Sequence, residues 1–116
     1  MHFKLIFALT EDTITDKIVD AAREKGATGS TVITSAQGEG MNTAKTFLGL
    51  SLQTQRDVVL FLVEEHMCRE ILETIAQTGE FDANPGSGIA FSIDVEDAVG
   101  VSHQVDKLCE IVEEEL

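Results

Sequence analysis

The 116-residue chain carries a formal net charge of −13 and contains neither Trp nor Tyr. This composition argues against binding to nucleic acid, because the sequence offers no basic stripe and few aromatic rings on which bases could stack. Its longest apolar run, at 58–63, is too short to span a bilayer. We therefore expect one domain at 1–116, cytoplasmic and without direct membrane insertion.

Four apolar segments predict strands, with helical patterns between them. The strand segments are FKLIFAL at 3–9, GSTVITS at 29–35, RDVVLFLV at 56–63 and GIAFSIDV at 88–95. The first helix is predicted from Thr13 to Gly26 and the second from Met67 to Gly79, each ended by its glycine. The order βαββαβ predicts an α+β fold of the ferredoxin-like type. A further amphipathic helix is predicted at 103–115.

The connection at 36–55 fits neither a helix nor a strand over any length. A connection this long inside a small domain is more often functional than accidental. Its apolar stretch TFLGLSL, at 46–52, predicts docking onto another protein. The residues expected to contact that partner are Thr46, Phe47, Leu48 and Leu50.

The strands at 3–9 and 56–63 are apolar at successive positions rather than at alternate ones. Both faces of their sheet therefore require burial. In the ferredoxin-like plan, the two main helices cover one face. The C-terminal helix is too short to cover the other face, so we expect a second chain to cover it and the protein to be an oligomer.

The stretch NPGSG, at 84–88, precedes the last predicted strand. Gly86 and Gly88 suit a loop whose backbone amides approach a phosphate closely. The nearest Lys or Arg residues along the sequence are Arg69 and Lys107. The residues alone leave open whether this loop binds a nucleotide or only turns the chain into the strand.

Two blocks of sequence resemble the PII signalling superfamily. GATGSTVITSAQGEG, at 26–40, is similar to the family's second strand and the start of its long T-loop. AQTGEFDANPGSGIAFSIDVEDAV, at 76–99, is similar to the family's B-loop, the following strand and its acidic end. The resemblance covers residues 3–101, and the chain is identified as a divergent member of this superfamily.

The resemblance implies a homotrimer of ferredoxin-like subunits that acts in nitrogen regulation by binding and is not an enzyme. It implies a T-loop at 36–55 and a B-loop at 79–88. The implied ligand is an adenine nucleotide held between subunits (ATP, ADP or AMP, with Mg²⁺ only if ATP is bound), and the implied partner is a regulated protein such as a membrane transporter. The ligand-binding residues that it implies are Thr31, Gln37, Gly38, Gly40, Gly86, Ser87 and Gly88.

Three positions depart from the family pattern. Ile89 stands where the family typically has lysine, and Gly100 and Ser102 stand where it typically has arginine. Because charge-assisted contacts contribute about 1.5–3 kcal/mol each, these replacements predict weak binding of a triphosphate. We expect a small or weakly charged ligand held by backbone amides. Gln37 also precedes the first T-loop glycine, whereas the family's glutamine follows the second.

Two other hypotheses stay open. One is an interaction module that docks onto a partner such as a membrane transporter without any ligand. The other is a small metal-binding or enzymatic protein on the same plan, with Glu64, Glu65 and His66 as metal candidates, although the solvated start of a helix explains these residues more simply. Cys68 and Cys109 lack zinc-binding spacing and are expected to be buried, reduced thiols.

Overall fold

The computed structural model describes residues 1–34, 46–47, 50–51, 56–103, 105–106 and 109. Its elements in chain order are β1 (Phe3–Glu11), a 3₁₀ turn (Asp12–Ile14), α1 (Thr15–Glu24), β2 (Ser30–Ile33), β3 (Thr46–Phe47), β4 (Leu50–Ser51), β5 (Arg56–Glu64), α2 (Glu65–Gly79) and β6 (Gly88–Val95). Four of the strands form one antiparallel sheet in the spatial order β2-β5-β1-β6. This order is the ferredoxin-like arrangement, so the predicted α+β fold is confirmed.

A short antiparallel pair, β3 with β4, lies inside the connection that was predicted to have no regular structure. Thr46 pairs with Ser51, and Phe47 pairs with Leu50. Two-residue strands are too short to show the alternation of apolar and polar residues from which strands are predicted. Three of the four expected partner-contact residues belong to this pair, and the fourth, Leu48, lies outside the described residues.

The start of α1 differs from the prediction. A 3₁₀ turn at Asp12–Ile14 precedes the helix, so α1 begins at Thr15 rather than at Thr13, and no described side chain caps either element. The Thr15 hydroxyl instead donates a hydrogen bond to the Asp57 carboxylate at 2.7 Å. Because both side chains are buried, this bond fixes the first turn of α1 to the beginning of β5.

The end of α2 uses its glycine differently from the prediction. Gly79 is the last helical residue, and Glu80 takes the left-handed conformation that follows, with a φ of 54°. A Cβ at Gly79 would overlap the ring of Phe81. The Phe81 amide donates to the Ala76 carbonyl at 3.0 Å, which turns the chain back against the helix. Gly79 is therefore required for packing rather than for its backbone conformation.

Both helices pack on one face of the sheet. This core contains Ile6, Val59 and Phe61 from the strands and Ile18 and Ile71 from the helices, all without exposed surface. In β1 and β5 the alternate residues turn toward the helices, as the period of a strand requires.

The opposite face of the sheet, called the open face below, is apolar as well. Its side chains are aliphatic or aromatic, half-buried or exposed, and come from the strand positions that alternate with the core residues. They are Leu5, Phe7, Ile33, Val58, Leu60, Leu62, Ile89, Phe91 and Ile93. The rings of Phe7 and Phe91 stack there with centroids 5.0 Å apart. Ile93 is 50% exposed, and Ile33 on the edge strand is 51% exposed. The two-sided apolar pattern of the strands thus corresponds to a second surface that α1 and α2 leave uncovered.

The predicted C-terminal helix at 103–115 is described at 103, 105–106 and 109, where its backbone is helical. The Val105 amide donates to the Val101 carbonyl at 2.9 Å. These two valines line a hollow together with Phe3 and Val95, at the end of the sheet where β1 begins. The described part of this segment therefore lies at the end of the open face and not across its centre.

Candidate functional site

The glycine-containing loop at 80–88 is held together by its own hydrogen bonds. The Asn84 amide donates to the Glu80 carbonyl at 2.9 Å, and the Ser87 amide donates to the Asn84 carbonyl at 3.0 Å. The Ser87 hydroxyl donates to the Glu80 carbonyl at 3.3 Å. The Ser87 amide, which was expected to face a ligand, is thus engaged within the loop. Any anion bound here would rely first on the neighbouring amides.

The two glycines of the loop are required for different reasons. Gly86 has a φ of +83°, in the left-handed region that residues with a Cβ rarely adopt, and open space surrounds the position of a Cβ. Its amide makes no hydrogen bond within the part of the chain that the structure describes. A Cβ at Gly88, by contrast, would overlap the Phe81 ring and lie 2.7 Å from the Leu9 carbonyl oxygen. Gly86 therefore leaves an accessible amide, whereas Gly88 allows the loop to pack.

The structure places a cation at this loop that sequence reasoning missed. The Arg56 guanidinium donates from Nη2 to the Gly86 carbonyl at 2.7 Å and from Nη1 to the Ser87 carbonyl at 2.9 Å. Its side chain is 4% exposed. Arg56 lies 30 positions before Gly86 in the sequence, so the residues next to the loop did not predict this contact. The sheet brings them together because Arg56 pairs with Glu11 and the neighbouring Thr10 pairs with Gly88.

Arg69, the nearest cation before the loop in the sequence, lies on the other side of it. Its guanidinium forms an ion pair with Glu73 at 2.8 Å on the surface of α2. It lines a hollow of about 240 Å³ between α2 and β6, together with Phe81, Gly88 and Ile89. Within the part of the chain that the structure describes, two cations therefore flank the loop, one buried and one exposed.

Thr31, the residue expected near an adenine base, does not lie beside this loop within one chain. It is exposed in β2, and β2 and β6 are the opposite edge strands of the sheet. Neighbouring strands are spaced about 4.8 Å apart, so three steps separate the two edges by about 14 Å. One chain therefore presents two separate parts of the expected site. Gln37, Gly38 and Gly40 lie outside the described residues.

The group Glu64, Glu65 and His66 occupies the start of α2. The possible ligand atoms of these three residues lie within 4.8 Å of one another. The Glu64 carboxylate is buried and accepts hydrogen bonds from both the His66 amide, at 2.8 Å, and the His66 ring. This carboxylate raises the pKa of the His66 imidazole above its usual value. The contacts are those of a helix N-terminal cap, which is the simpler interpretation given above.

The two cysteines differ in their surroundings. Cys68 is buried in the core beneath α2, as predicted, whereas Cys109 is exposed, so the prediction that both thiols are buried was wrong for Cys109. Cys109 belongs to an amphipathic pattern, but the described part of its helix does not pack it into the core. Both residues are free thiols.

A comparison with protein-family models identifies the family of this chain. The family model described as "Nitrogen regulatory protein P-II" matches residues 3–105. This chain belongs to the P-II family. The match includes the whole four-stranded sheet, both helices and the glycine loop. The recognition made from the B-loop and T-loop sequences is confirmed.

Solved structures of other proteins, among them a protein described as nitrogen regulatory and PII-like, share the fold. CPII from Thiomonas intermedia K12, bound to ADP, AMP and acetate, is 17% identical with a TM-score of 0.63, covering 86% of this chain and 92% of that one. GlnK from B. subtilis is 16% identical with a TM-score of 0.64, covering 88% and 92%. CPII has also been solved with ADP, AMP and bicarbonate, at 17% identity, a TM-score of 0.57 and coverage of 85% and 98%. No curated protein sequence matches the chain.

The three positions at which P-II proteins typically carry cations have distinct surroundings here. Ile89 is half-buried in β6, on the open face. Gly100 has a φ of +79° in an exposed turn, so a side chain there would strain the backbone. Ser102 is exposed at the start of the helical C-terminal segment. Among the described residues, no helix is long and apolar enough to cross a membrane.

Proposed function

We propose that this P-II protein is a non-enzymatic regulator that binds a small adenine nucleotide between neighbouring copies of the chain. The observation that carries the proposal is the division of the expected site between opposite edges of one sheet. Thr31 lies on β2 and the glycine loop precedes β6. A second copy that placed its own β2 edge against the first copy's loop would complete the site, and one chain alone does not.

The open face supports assembly into a homotrimer. It presents aliphatic and aromatic side chains from all four strands, among them Ile33 and Ile93, each about half exposed. Burying apolar surface stabilises an assembly by about 25 cal/mol for each Å², and a continuous apolar face of this kind is rare on a monomer. A trimer closed around these faces would bury them together and complete three ligand sites.

The charges around the loop favour a nucleotide with few phosphates. Arg56 is a buried cation whose guanidinium binds the backbone of the loop. Ile89, Gly100 and Ser102 are uncharged, at three positions where P-II proteins typically have cations. AMP and ADP match this charge better than ATP, which would depend on Mg²⁺ to offset its triphosphate. One relative, CPII from Thiomonas intermedia K12, has been solved twice with ADP and AMP bound, which agrees with this choice.

The proposed ligand contacts are backbone amides and hydroxyl groups. They are assigned to Thr31, Gln37, Gly38, Gly40, Gly86, Ser87 and Gly88. Because the Ser87 amide is engaged within the loop, Ser87 would contribute its hydroxyl, which would leave the Glu80 carbonyl when the ligand binds. The segment at 36–55 is proposed to contact a regulated protein through Thr46, Phe47, Leu48 and Leu50, and a membrane transporter is one such partner. The cytoplasm is the proposed location.

A thermal-shift series with AMP, ADP and ATP tests the proposal, combined with sedimentation velocity to determine the mass of the assembly. We expect AMP or ADP to raise the melting temperature, since a ligand that binds the native state stabilises it by mass action. We also expect a trimer at micromolar concentration. A stable monomer that none of these nucleotides stabilises would refute the proposal and favour the ligand-independent interaction module.

Two variants locate the site. Thr31→Val removes the hydroxyl and keeps the shape of the side chain, so we expect weaker nucleotide binding by isothermal titration calorimetry without loss of the trimer. Thr74→Val is the matched control, because Thr74 is half-buried in the middle of α2, which packs on the side of the sheet opposite the open face. Equal affinities for the two variants would remove Thr31 from the site.

A third variant tests the charge argument. Ser102→Arg restores one of the three cations, and we expect affinity for ATP to rise about tenfold, from about 1.5 kcal/mol for a charged contact. Ile89→Lys is left out because Ile89 lies on the open face, where a charged side chain would oppose assembly. Gly100→Arg is left out because the φ of Gly100 would add backbone strain. Unchanged ATP affinity would indicate that the loop turns the chain and does not hold phosphates.

A further inference from the structure

The Arg56 side chain, at the start of β5, binds the backbone of the glycine loop. Its guanidinium reaches two successive carbonyl groups, those of Gly86 at 2.7 Å and Ser87 at 2.9 Å. A planar guanidinium has its donors in a fixed fork, so two simultaneous bonds define the orientation of both carbonyls. Arg56 is almost completely buried, which holds this fork away from water.

The two carbonyl bonds determine where the loop's amides point. The described peptide bonds are trans, and in a trans peptide the N–H lies opposite the C=O. With the Ser87 carbonyl turned toward Arg56, the Gly88 amide is turned away from it. With the Gly86 carbonyl turned the same way, the Ser87 amide meets the Asn84 carbonyl, to which it donates at 3.0 Å.

The backbone that carries Arg56 is itself fixed. Arg56 is the first residue of β5 and pairs with Glu11. The next residue, Asp57, accepts the buried hydrogen bond from Thr15 at the start of α1. The guanidinium is therefore anchored to the sheet and to α1, while the loop that it holds has a glycine with open space around it at Gly86.

We propose that Arg56 is a positioning residue for the ligand site: it locks the Gly86–Ser87 carbonyls inward and thereby presents the loop's outward face to an anion. The ligand class that follows is an anion with one or two phosphates, bound without a direct side-chain cation from Arg56. This inference rests on the proposed function, in which the loop binds the phosphates of a nucleotide.

Three variants separate positioning from charge. Arg56→Met removes the positive charge and the paired hydrogen bonds to the two carbonyls. Arg56→Lys keeps the charge but loses the two donors in fixed geometry. Arg23→Met is the control, because it removes one positive charge elsewhere. Arg23 is exposed in the last turn of α1, whereas the loop lies near the first turn. Affinity for ADP is measured by calorimetry, and exchange of the Ser87 amide with deuterium is measured by NMR.

We expect Arg56→Met to weaken ADP binding at least tenfold and to speed exchange of the Ser87 amide. Arg56→Lys should restore part of the affinity but leave the exchange fast, because lysine keeps the charge without the fork. Arg23→Met should match the wild type in both measurements. If Arg56→Met does not fold, the Arg56→Lys comparison still decides the matter, since a lysine variant with wild-type affinity and wild-type exchange overturns the inference.

The failure of this inference and of the proposed function are distinguishable. A wild-type protein that binds neither ADP nor AMP refutes the proposed ligand site itself and the role of Arg56 in it. A wild-type protein that binds ADP, with Arg56→Met within twofold of its affinity, keeps the ligand site and refutes the role of Arg56.

Discussion

Replacing either glycine of the loop with alanine adds the same methyl group, but the structure predicts different costs. At Gly88 the new Cβ would lie 2.7 Å from the Leu9 carbonyl oxygen and would overlap the Phe81 ring. Leu9 belongs to β1, which is paired on both sides, and Phe81 already packs against Gly79, so neither neighbour has room to retreat. Overpacking of this kind costs about 1–3 kcal/mol, and we expect the upper half of that range.

At Gly86 the cost arises from backbone conformation alone. A left-handed φ costs a residue with a Cβ about 1–2 kcal/mol, and the methyl group meets no neighbour there. Part of this is recovered, since alanine reduces the conformational entropy of the unfolded chain by about 0.4–1 kcal/mol. We therefore expect Gly86→Ala to reduce the free energy of unfolding by about 1 kcal/mol or less, and Gly86→Asn by less still, because Asn tolerates this conformation.

Urea denaturation monitored by circular dichroism measures both costs, with the protein concentration held equal because assembly contributes to stability. The expected order of stability is wild type, then Gly86→Asn, then Gly86→Ala, then Gly88→Ala. If Gly88→Ala is no less stable than Gly86→Ala, the packing explanation for Gly88 is wrong. If Gly86→Asn is less stable than Gly86→Ala, the conformational explanation for Gly86 is wrong.

Three further predictions concern the core and the charged groups. Phe61→Ala should lower the free energy of unfolding by about 3–5 kcal/mol in urea, whereas Ile93→Ala on the open face should mainly weaken assembly in sedimentation. Hydrogen bonds from Lys4, at 2.6 Å, and from His2 lower the pKa of Asp94, so the stability that Asp94 contributes is present above its unfolded-state pKa and is lost as the pH falls through its folded-state pKa. NMR titration should show the pKa of Asp94 rising in Lys4→Met, and an unchanged pKa would contradict the contact. The raised pKa of His66 should fall in Glu64→Gln, and an NMR titration that gives the same His66 pKa in both proteins would refute the pairing. The stability that this pair contributes is present below the unfolded-state pKa of His66 and should disappear as the pH rises through its folded-state pKa.

Much of the fold follows from local pattern. The apolar runs at 3–9 and 56–63 predict central strands with two buried faces, and the structure has them as β1 and β5 between the helical core and the open face. The glycine loop was also found in the correct place, because Gly and Pro next to an apolar run are signals carried by adjacent residues.

The remaining features depend on contacts between distant residues. Arg56 reaches the loop through strand pairing, so a search for the nearest cations along the sequence found Arg69 and Lys107 and did not find Arg56. Gly79 was predicted to end α2, and Gly88 was predicted to let a backbone amide approach a phosphate, yet both make room for Phe81, a ring whose direction is set by tertiary packing. A pattern of residue types does not contain that information.

The placement of Thr31 and the glycine loop on opposite edges of the sheet has a thermodynamic consequence for the proposed assembly. A site that needs two copies couples nucleotide binding to self-association, so each must strengthen the other by the same factor. The apparent nucleotide affinity would then depend on the concentration of the protein, and dilution would release nucleotide together with subunits. Abundance of the regulator would set its sensitivity, alongside the abundance of the signal.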